Sequence, residues 1–454
     1  MTQSKNLHVL ETAPISKLLL QYSIPAIIAM TVTSVYNIID SIFIGHGVGP
    51  LAISGLALTF PLMNLIIAFC TLIGVGGAAI SSIYLGRKED RKATEVLHNV
   101  FILCIIAGFC FGGITWYFLE EILMFFGASA DTLPYARDFM QVILMGNPVS
   151  FLFIGLNNVM RATGYPRKAM FSSLLTVGVN IILAPVFIFH LGWGIRGAAT
   201  ATILAQVCGL VWVLNHFARS SSDIHFTRGF YKLSKHIIVS IFSIGMAPFL
   251  LNVCASAIVI ILNHSFKTYG GDLAIGAYGI VNRVATLFVM VVIGLTQGMQ
   301  PIIGYNYGAR HFDRVQKTLK KAIFIAVGVM SAGWLMSELM PAHIVAMFSD
   351  DSDLNVLAKV GLRITILSFP MVGAQIVITN FFQSIGKAKI SILLSLARQL
   401  LFLVPLLYVL PHIGQSGIFG VWGSMPISDT LAFTASVITL RWYMKRVWAK
   451  EFSL

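Results

Sequence analysis

One carboxylate is set apart by the residues around it. Asp40 lies within a long apolar run and follows Thr33, Tyr36 and Asn37 at helical spacings, so a helix would carry all four side chains on one face. Apolar surroundings disfavour the charged form of a carboxyl group, which lets such a side chain take up and release a proton. The pattern indicates a proton-exchanging or cation-binding site. The alternative is a static polar anchor that bonds neighbouring helices.

A second carboxylate, Asp429, also lies deep in an apolar run. Arg398 belongs to the preceding run, and the two side chains could form a neutral buried pair. The alternative is that Asp429 lines a cavity and contacts a substrate. Arg283 has no acid nearby in the sequence, and we expect its long side chain to reach water rather than to bind a substrate.

Chemistry on covalent bonds has no support in the sequence. The chain contains neither a GxxxxGK[ST] phosphate loop nor an HExxH motif, and its five cysteines show no CxxC spacing. We therefore expect a protein that is not an enzyme and has no cofactor.

The composition is that of an integral membrane protein. Of 454 residues, 57% are hydrophobic and 11% are charged, with a mean hydropathy of +0.84, whereas a soluble domain carries about 25% charged residues. The formal net charge is +13, but the basic residues form short clusters between apolar runs. This placement indicates membrane topology with lipids as the surroundings, and no nucleic-acid partner.

The apolar runs have the length of membrane-spanning helices. A bilayer core about 30 Å thick requires roughly 20 apolar residues per helix. Twelve such runs predict an all-α membrane fold. They cover residues 15–41, 51–83, 94–119, 134–157, 167–190, 194–217, 236–264, 273–304, 318–340, 356–383, 388–410 and 416–444.

Lysine and arginine predict the orientation of these spans. Most of the 31 basic residues lie at the termini or in the connectors that follow even-numbered spans, for example in 87–92 and 310–321. Because basic loops stay in the cytoplasm, both termini are expected there, in a bacterial inner membrane.

The two halves of the chain are related by a repeat with an offset of 222 residues. The matches are Gly76 with Gly298, Gly86 with Gly308, Pro148 with Pro370, Asn158 with Asn380, and Gly164 with Gly386. Each half holds six spans, so both insert with the same orientation about an axis along the membrane normal, as in transporters. We predict an N-lobe (1–220), a cytoplasmic connector (221–235) and a C-lobe (236–454), with substrate bound between the lobes.

Two prolines occupy corresponding places in the repeat. Pro25 matches Pro248 with a shift of one residue. A proline within a helix removes a backbone hydrogen bond, so Pro25 is a candidate hinge. A fixed kink is the alternative.

Four stretches together resemble a known family. They are 36–40 with Pro25 upstream, 55–61, 157–164, and 180–185 followed by 194–199. On these residues the chain resembles the bacterial branch of the multidrug and toxic compound extrusion (MATE) family along essentially its whole length. The resemblance implies a monomeric antiporter that exports amphipathic, often cationic, drugs in exchange for H⁺ or Na⁺.

The same resemblance implies a cation or proton site in the N-lobe at Asp40, Asn180 and Thr202. The family often has an aspartate before the proline of the fifth span, but this chain has Ala184 before Pro185. Since Na⁺ prefers several oxygen ligands, the missing carboxylate favours H⁺. Candidates for the substrate pocket are Tyr36, Asn37, Asn157, Asn158 and Asp429.

A flippase for lipid-linked oligosaccharides is the alternative function. It would share the two-lobe architecture but would be expected to carry several cations in its cavity, beyond Arg283 and Arg398.

Overall fold

The computed structural model describes residues 5–48, 50–126, 128–219, 224–227, 232–347 and 352–448. Within these ranges the chain is helical and contains no strand. The all-α prediction is therefore confirmed.

Twelve long helices of the described chain correspond one to one with the predicted spans. They are α1 (Ile15–Gly47), α2 (Pro50–Gly86), α3 (Asp90–Tyr117), α4 (Leu133–Ala162), α5 (Pro166–His190), α6 (Gly194–Ala218), α7 (Lys235–Gly271), α8 (Leu273–Gly308), α9 (Phe312–Leu339), α10 (Ser352–Ile366 with Phe369–Ser384), α11 (Ala388–Ile413) and α12 (Ile418–Tyr443). Among the described residues, ten helices are long and apolar enough to cross a membrane, or eleven if the bent α10 is one span. Short helices cover Lys5–Thr12, Leu119–Phe125 and Pro341–Ala346.

Several helices depart locally from regular geometry. The tenth predicted span is bent by 49° between Ile366 and Phe369, where Pro370 cannot donate a backbone hydrogen bond. The fifth helix widens into a π-helical turn at Val186–His190, directly after Pro185. Helix α7 runs on to Gly271, seven residues beyond the predicted end at 264, and Gly271 adopts a φ of 69° that favours glycine.

Glycines bring the backbones of the two lobes together. A methyl group at Gly86 of α2 would overlap the carbonyl oxygen of Tyr305 in α8, and one at Gly308 of α8 would overlap that of Ile83 in α2. These two contacts are related by the 222-residue offset, as a pseudo-two-fold axis requires. Because only glycine permits such close approach, the repeat glycines hold α2 against α8 at this end of the molecule.

The segment around the predicted connector packs against the N-lobe. The Ser234 N–H donates to Asn99 Oδ1 at 2.9 Å, and the Thr227 N–H donates to His98 Nε2 at 3.3 Å. Residues 221–223 lie outside the described residues. The lobe boundaries themselves stay a prediction.

The N-terminal helix, by contrast, crosses to the C-lobe. Arg314 of α9 donates to the carbonyl oxygens of Leu10 at 3.1 Å and Ala13 at 2.7 Å. Asn306 of α8, fully buried, donates to the same Leu10 oxygen at 3.2 Å. These bonds satisfy carbonyl groups that the short helix leaves open at its C-terminal end.

Candidate functional site

Helix α1 carries Asp40 and Tyr36 one turn apart on the same face, as their spacing predicts. Both side chains are half-buried, and the carboxylate lies close enough to the tyrosine hydroxyl to interact with it electrostatically. Thr33 is exposed and returns its hydroxyl to the Ala29 carbonyl oxygen of its own helix at 2.8 Å. The side chain of Asn37 lies outside the described residues.

Three helices meet at the Tyr36 hydroxyl. Asn180 of α5 donates from Nδ2 to Tyr36 Oη at 2.8 Å and to Thr202 Oγ1 at 3.0 Å. Tyr36 Oη and Thr202 Oγ1 lie 3.2 Å apart, while Thr202 donates its single O–H to the Ala198 carbonyl oxygen at 3.1 Å. Thr202 is therefore an acceptor toward Tyr36. The phenolic proton is the one donor that Tyr36 can offer to Thr202 or to Asp40.

Two buried oxygens beside this cluster have no hydrogen-bond partner among the described residues. They are Asp40 Oδ1 and Asn180 Oδ1. A buried polar atom without a partner is costly, so its place is expected to receive a proton, a cation or a water molecule. The structure thus brings Asp40, Tyr36, Asn180 and Thr202 into one neighbourhood.

The donor set of the cluster includes a nitrogen as well as oxygens. A hard cation prefers several oxygen ligands, but the centre of the cluster holds the Nδ2 donor group of Asn180. Ala184, the position without the carboxylate, is buried and adds no ligand. The described residues contain no group of three histidines, cysteines or acids that could hold a metal ion.

The adjacent asparagines Asn157 and Asn158 of α4 point to different neighbours. Asn157 is buried and donates from Nδ2 to Ser173 Oγ at 3.1 Å, while its Oδ1 accepts from Ser172 at 3.1 Å. Its amide is therefore engaged by α5. Asn158 is half-buried and lies against Gly74 of α2. A contact of either residue with substrate stays a prediction.

A second polar centre lies in the C-lobe. Arg398 donates from Nε to Asp429 Oδ1 at 2.6 Å, and Ser368 donates to Asp429 Oδ2 at 2.8 Å. Both carboxylate oxygens are thus used, and the Asp429 side chain is only 8% exposed, against 33% for Arg398. The ion pair proposed from the sequence is present. Direct substrate contact by Asp429 stays a prediction.

Local distortions position this second centre. Arg398 lies in the π-helical stretch Ala397–Leu403 of α11, and Ser368 lies at the bend of α10. The sequence analysis did not identify Ser368. Its place directly before Phe369 and Pro370 marks a helix break, where a hydroxyl can donate to a neighbouring helix.

A polar contact between the lobes was also missed. Arg161 at the end of α4 is buried and donates to Gln297 Oε1 of α8. Gln297 is a polar residue within an apolar run, and that signal was available in the sequence. The same glutamine approaches the sulfur of Met30 in α1 at 3.9 Å.

Comparisons with known proteins agree with this architecture. The MatE family model matches residues 25–186 and 244–409. The multidrug export protein MepA of Staphylococcus haemolyticus is 30% identical over 438 residues, which cover 96% of each chain. MepA of Staphylococcus aureus (strain COL) is 27% identical over 441 residues, again 96% of each.

Solved structures superpose over nearly the whole chain. A ligand complex of the MATE multidrug transporter DinF-BH is 32% identical, with a TM-score of 0.89 and 98% of each chain covered. A MATE structure in the bent conformation is 24% identical, with a TM-score of 0.93 over 100% of this chain and 99% of the other. The latter likeness establishes the fold, including its two lobes.

Proposed function

This chain belongs to the MatE family, and from that membership we propose that it is a secondary-active exporter of amphipathic, often cationic, organic compounds, driven by H⁺. The family consists of transport proteins, so the chain is a multi-pass membrane transporter and not an enzyme. The names of its MepA relatives support multidrug compounds as the exported class.

The observation that carries the coupling proposal is the unpartnered buried oxygen of Asp40. This carboxylate lies near Tyr36, whose hydroxyl is hydrogen-bonded to Asn180 of α5 and lies beside Thr202 of α6. Neutralising a carboxylate in a low-dielectric site changes the local energy strongly. In this proposal, proton uptake by Asp40 triggers the repacking of α1 against α5 and α6.

Protons are favoured over sodium as the coupling ion. A proton needs only one carboxylate, whereas Na⁺ would require Asn180 to rotate its amide so that Oδ1 replaces the Nδ2 group in the cluster. With alanine at position 184, such a site would hold a single carboxylate. Sodium coupling is the less favoured form of the proposal.

The proposed cycle uses the charge of Asp40 twice. When deprotonated, the carboxylate attracts a lipophilic cation into the cleft between the lobes. Protonation from outside removes that attraction and lets α1 repack, bending at Pro25, which lies buried within the helix. Coupling requires that proton and drug compete or favour different states. One proton crossing the membrane contributes about 2.3 kcal/mol per 100 mV, which is enough for useful export.

The setting of this cycle is also part of the proposal. We place the protein as a monomer in the bacterial cytoplasmic membrane, with both termini in the cytoplasm. The pocket would combine apolar walls with Tyr36, Asn37, Asn157 and Asn158. An oligosaccharide flippase needs free cations in the cleft between its membrane-spanning helices, and Arg398 already has a carboxylate partner.

Gradient-driven uptake into proteoliposomes tests the proposal. A fluorescent organic cation is offered to vesicles with an imposed pH gradient, and wild type is compared with Asp40→Asn. The matched control is Asp313→Asn, which removes an exposed acid at the start of α9. We expect uptake by wild type and control, and none above empty vesicles for Asp40→Asn.

Three outcomes would count against parts of the proposal. Uptake by wild type without any gradient would exclude antiport. Equal uptake by Asp40→Asn would remove Asp40 from coupling. Uptake driven by a Na⁺ gradient alone, at constant pH, would replace H⁺ with Na⁺.

A further inference from the structure

A cavity of about 740 Å³ lies between the lobes. None of its lining residues belongs to the proposed coupling site around Asp40. The cavity lining includes two short segments, 86–89 at the end of α2 and 308–311 at the end of α8. Glu11, Tyr307 and Phe312 complete the lining. The cavity thus takes residues from both halves of the repeat, on the face that is predicted to be cytoplasmic.

The two loops are copies of one another in conformation as well as in sequence position. Lys88 adopts a φ of 62° and Arg310 a φ of 60°, and the offset between them is again 222 residues. Non-glycine residues rarely occupy this left-handed region, because the Cβ atom then crowds the following carbonyl oxygen. Each loop therefore presents a basic side chain on a backbone that its surroundings hold in an uncommon form.

The charges in the cavity do not balance. Glu89 lies 2.5 Å from Lys92, and Glu11 lies 3.9 Å from His311, so each acid has a basic neighbour. Three further cations line the cavity and have no acid within 4.0 Å in the described part of the chain. They are Arg87, Lys88 and Arg310, all exposed.

From this arrangement we propose that the cavity binds a phosphate group that bridges the two lobes. Guanidinium and ammonium groups on facing walls suit a multivalent phosphate anion, which accepts several charge-assisted hydrogen bonds. The cavity is much larger than one phosphate and includes the rings of Tyr307 and Phe312, 6.0 Å apart. It therefore has room for the organic remainder of a lipid headgroup or of a soluble phosphate compound.

Binding there has a conformational consequence. The loops face each other only while Gly86 lies against Tyr305 and Gly308 lies against Ile83. A ligand that contacts both loops binds this closed arrangement more tightly than an arrangement in which the lobes are apart at these loops. It therefore shifts the population toward the closed arrangement. The phosphate site is independent of which compounds the chain transports.

Thermal unfolding of the purified full-length protein tests the site. Potassium pyrophosphate is titrated in neutral detergent against potassium chloride of equal ionic strength. In a second arm, nanodiscs of phosphatidylcholine with phosphatidylglycerol are compared with phosphatidylcholine alone. The test variant is Arg87→Gln with Lys88→Gln and Arg310→Gln. The matched control is Lys235→Gln with Lys317→Gln and Lys320→Gln, which removes three exposed charges outside the cavity.

The expected result is a rise in unfolding temperature for wild type and control, with apparent affinity about tenfold or more weaker in the test variant. Stabilisation by pyrophosphate supports a soluble phosphate as the ligand, and stabilisation in the anionic nanodisc alone supports a lipid headgroup. No stabilisation in either arm, or equal stabilisation of the two triple variants, would overturn the proposal.

Discussion

The Asn180 side-chain nitrogen donates to the Tyr36 hydroxyl oxygen over 2.8 Å, and this bond ties α5 to the helix that carries Asp40. The other N–H of the same amide reaches Thr202 in α6 at 3.0 Å. Only the side chain of Tyr36 therefore lies between Asp40 and the residues of α5 and α6 in this cluster, so a charge change at Asp40 can act on both helices. Tyr36 is the residue through which we expect that change to pass.

Tyr36→Phe is predicted to weaken coupling. The substitution keeps the ring but removes the acceptor for Asn180 and the phenolic donor that faces Thr202. Each lost hydrogen bond costs about 1 kcal/mol, so we expect a lower unfolding temperature and reduced pH-gradient-driven uptake. Tyr408→Phe, at an exposed tyrosine, is the control and should change neither. Unimpaired uptake by Tyr36→Phe would show that the hydroxyl takes no part.

The Arg398–Asp429 pair is predicted to be structural. Arg398→Gln leaves a buried carboxylate with Ser368 as its remaining hydrogen-bond partner among the described residues, and removing one partner of a buried pair costs roughly 3–5 kcal/mol. Asp429→Asn similarly strands the guanidinium. We expect both single variants to unfold at lower temperature and the double variant to recover most of the loss, because no uncompensated charge remains. Single variants that are as stable as wild type but fail to bind drug would instead indicate substrate contact.

Gly245→Ala is predicted to separate the lobes where α7 packs against α2. A methyl group at Gly245 of α7 would overlap the carbonyl oxygen of Leu72 in α2, so the helices must separate. Spin labels at positions 91 and 317, both exposed, report the distance between the lobes in a background with the native cysteines replaced. We expect a shift toward longer distances.

The matched control for Gly245→Ala is Gly279→Ala. Outside its own helical turn, no atom of the described residues lies within 4 Å of a methyl group placed there, so the distances should stay unchanged. Replacing glycine by alanine in a helix stabilises it by roughly 0.5–1 kcal/mol, which a thermal unfolding measurement can detect. Identical distance distributions for Gly245→Ala and wild type would mean that the added methyl group is accommodated without separating the lobes.

Periodicity was sufficient to predict the helices and the shared face of Tyr36 and Asp40. The positions of Asn180 and Thr202 came instead from the family resemblance, since residues on α5 and α6 show no local pattern that directs them toward α1. Hydrophobic runs determine that a helix exists, whereas its rotation toward a neighbour depends on packing that one sequence does not display.

Other features could not be predicted for different reasons. Asn157 and Asn158 are adjacent and equally polar, but a helix turns them about 100° apart, so only one is fully engaged by α5. The left-handed backbone at Lys88 and Arg310 is invisible in the sequence because neither residue type is typical of that conformation. Ser368 needed the 49° bend in α10 to reach Asp429.

Proton release on drug binding measures the exchange at Asp40 most directly. Purified protein in weakly buffered detergent solution is mixed with a fluorescent organic cation while a pH indicator records released protons. Binding of the cation should expel a proton from wild type and from Asp313→Asn, and Asp40→Asn should bind without release. If Asp40→Asn releases as many protons per bound drug as wild type, the carboxylate at position 40 does not exchange its proton for substrate.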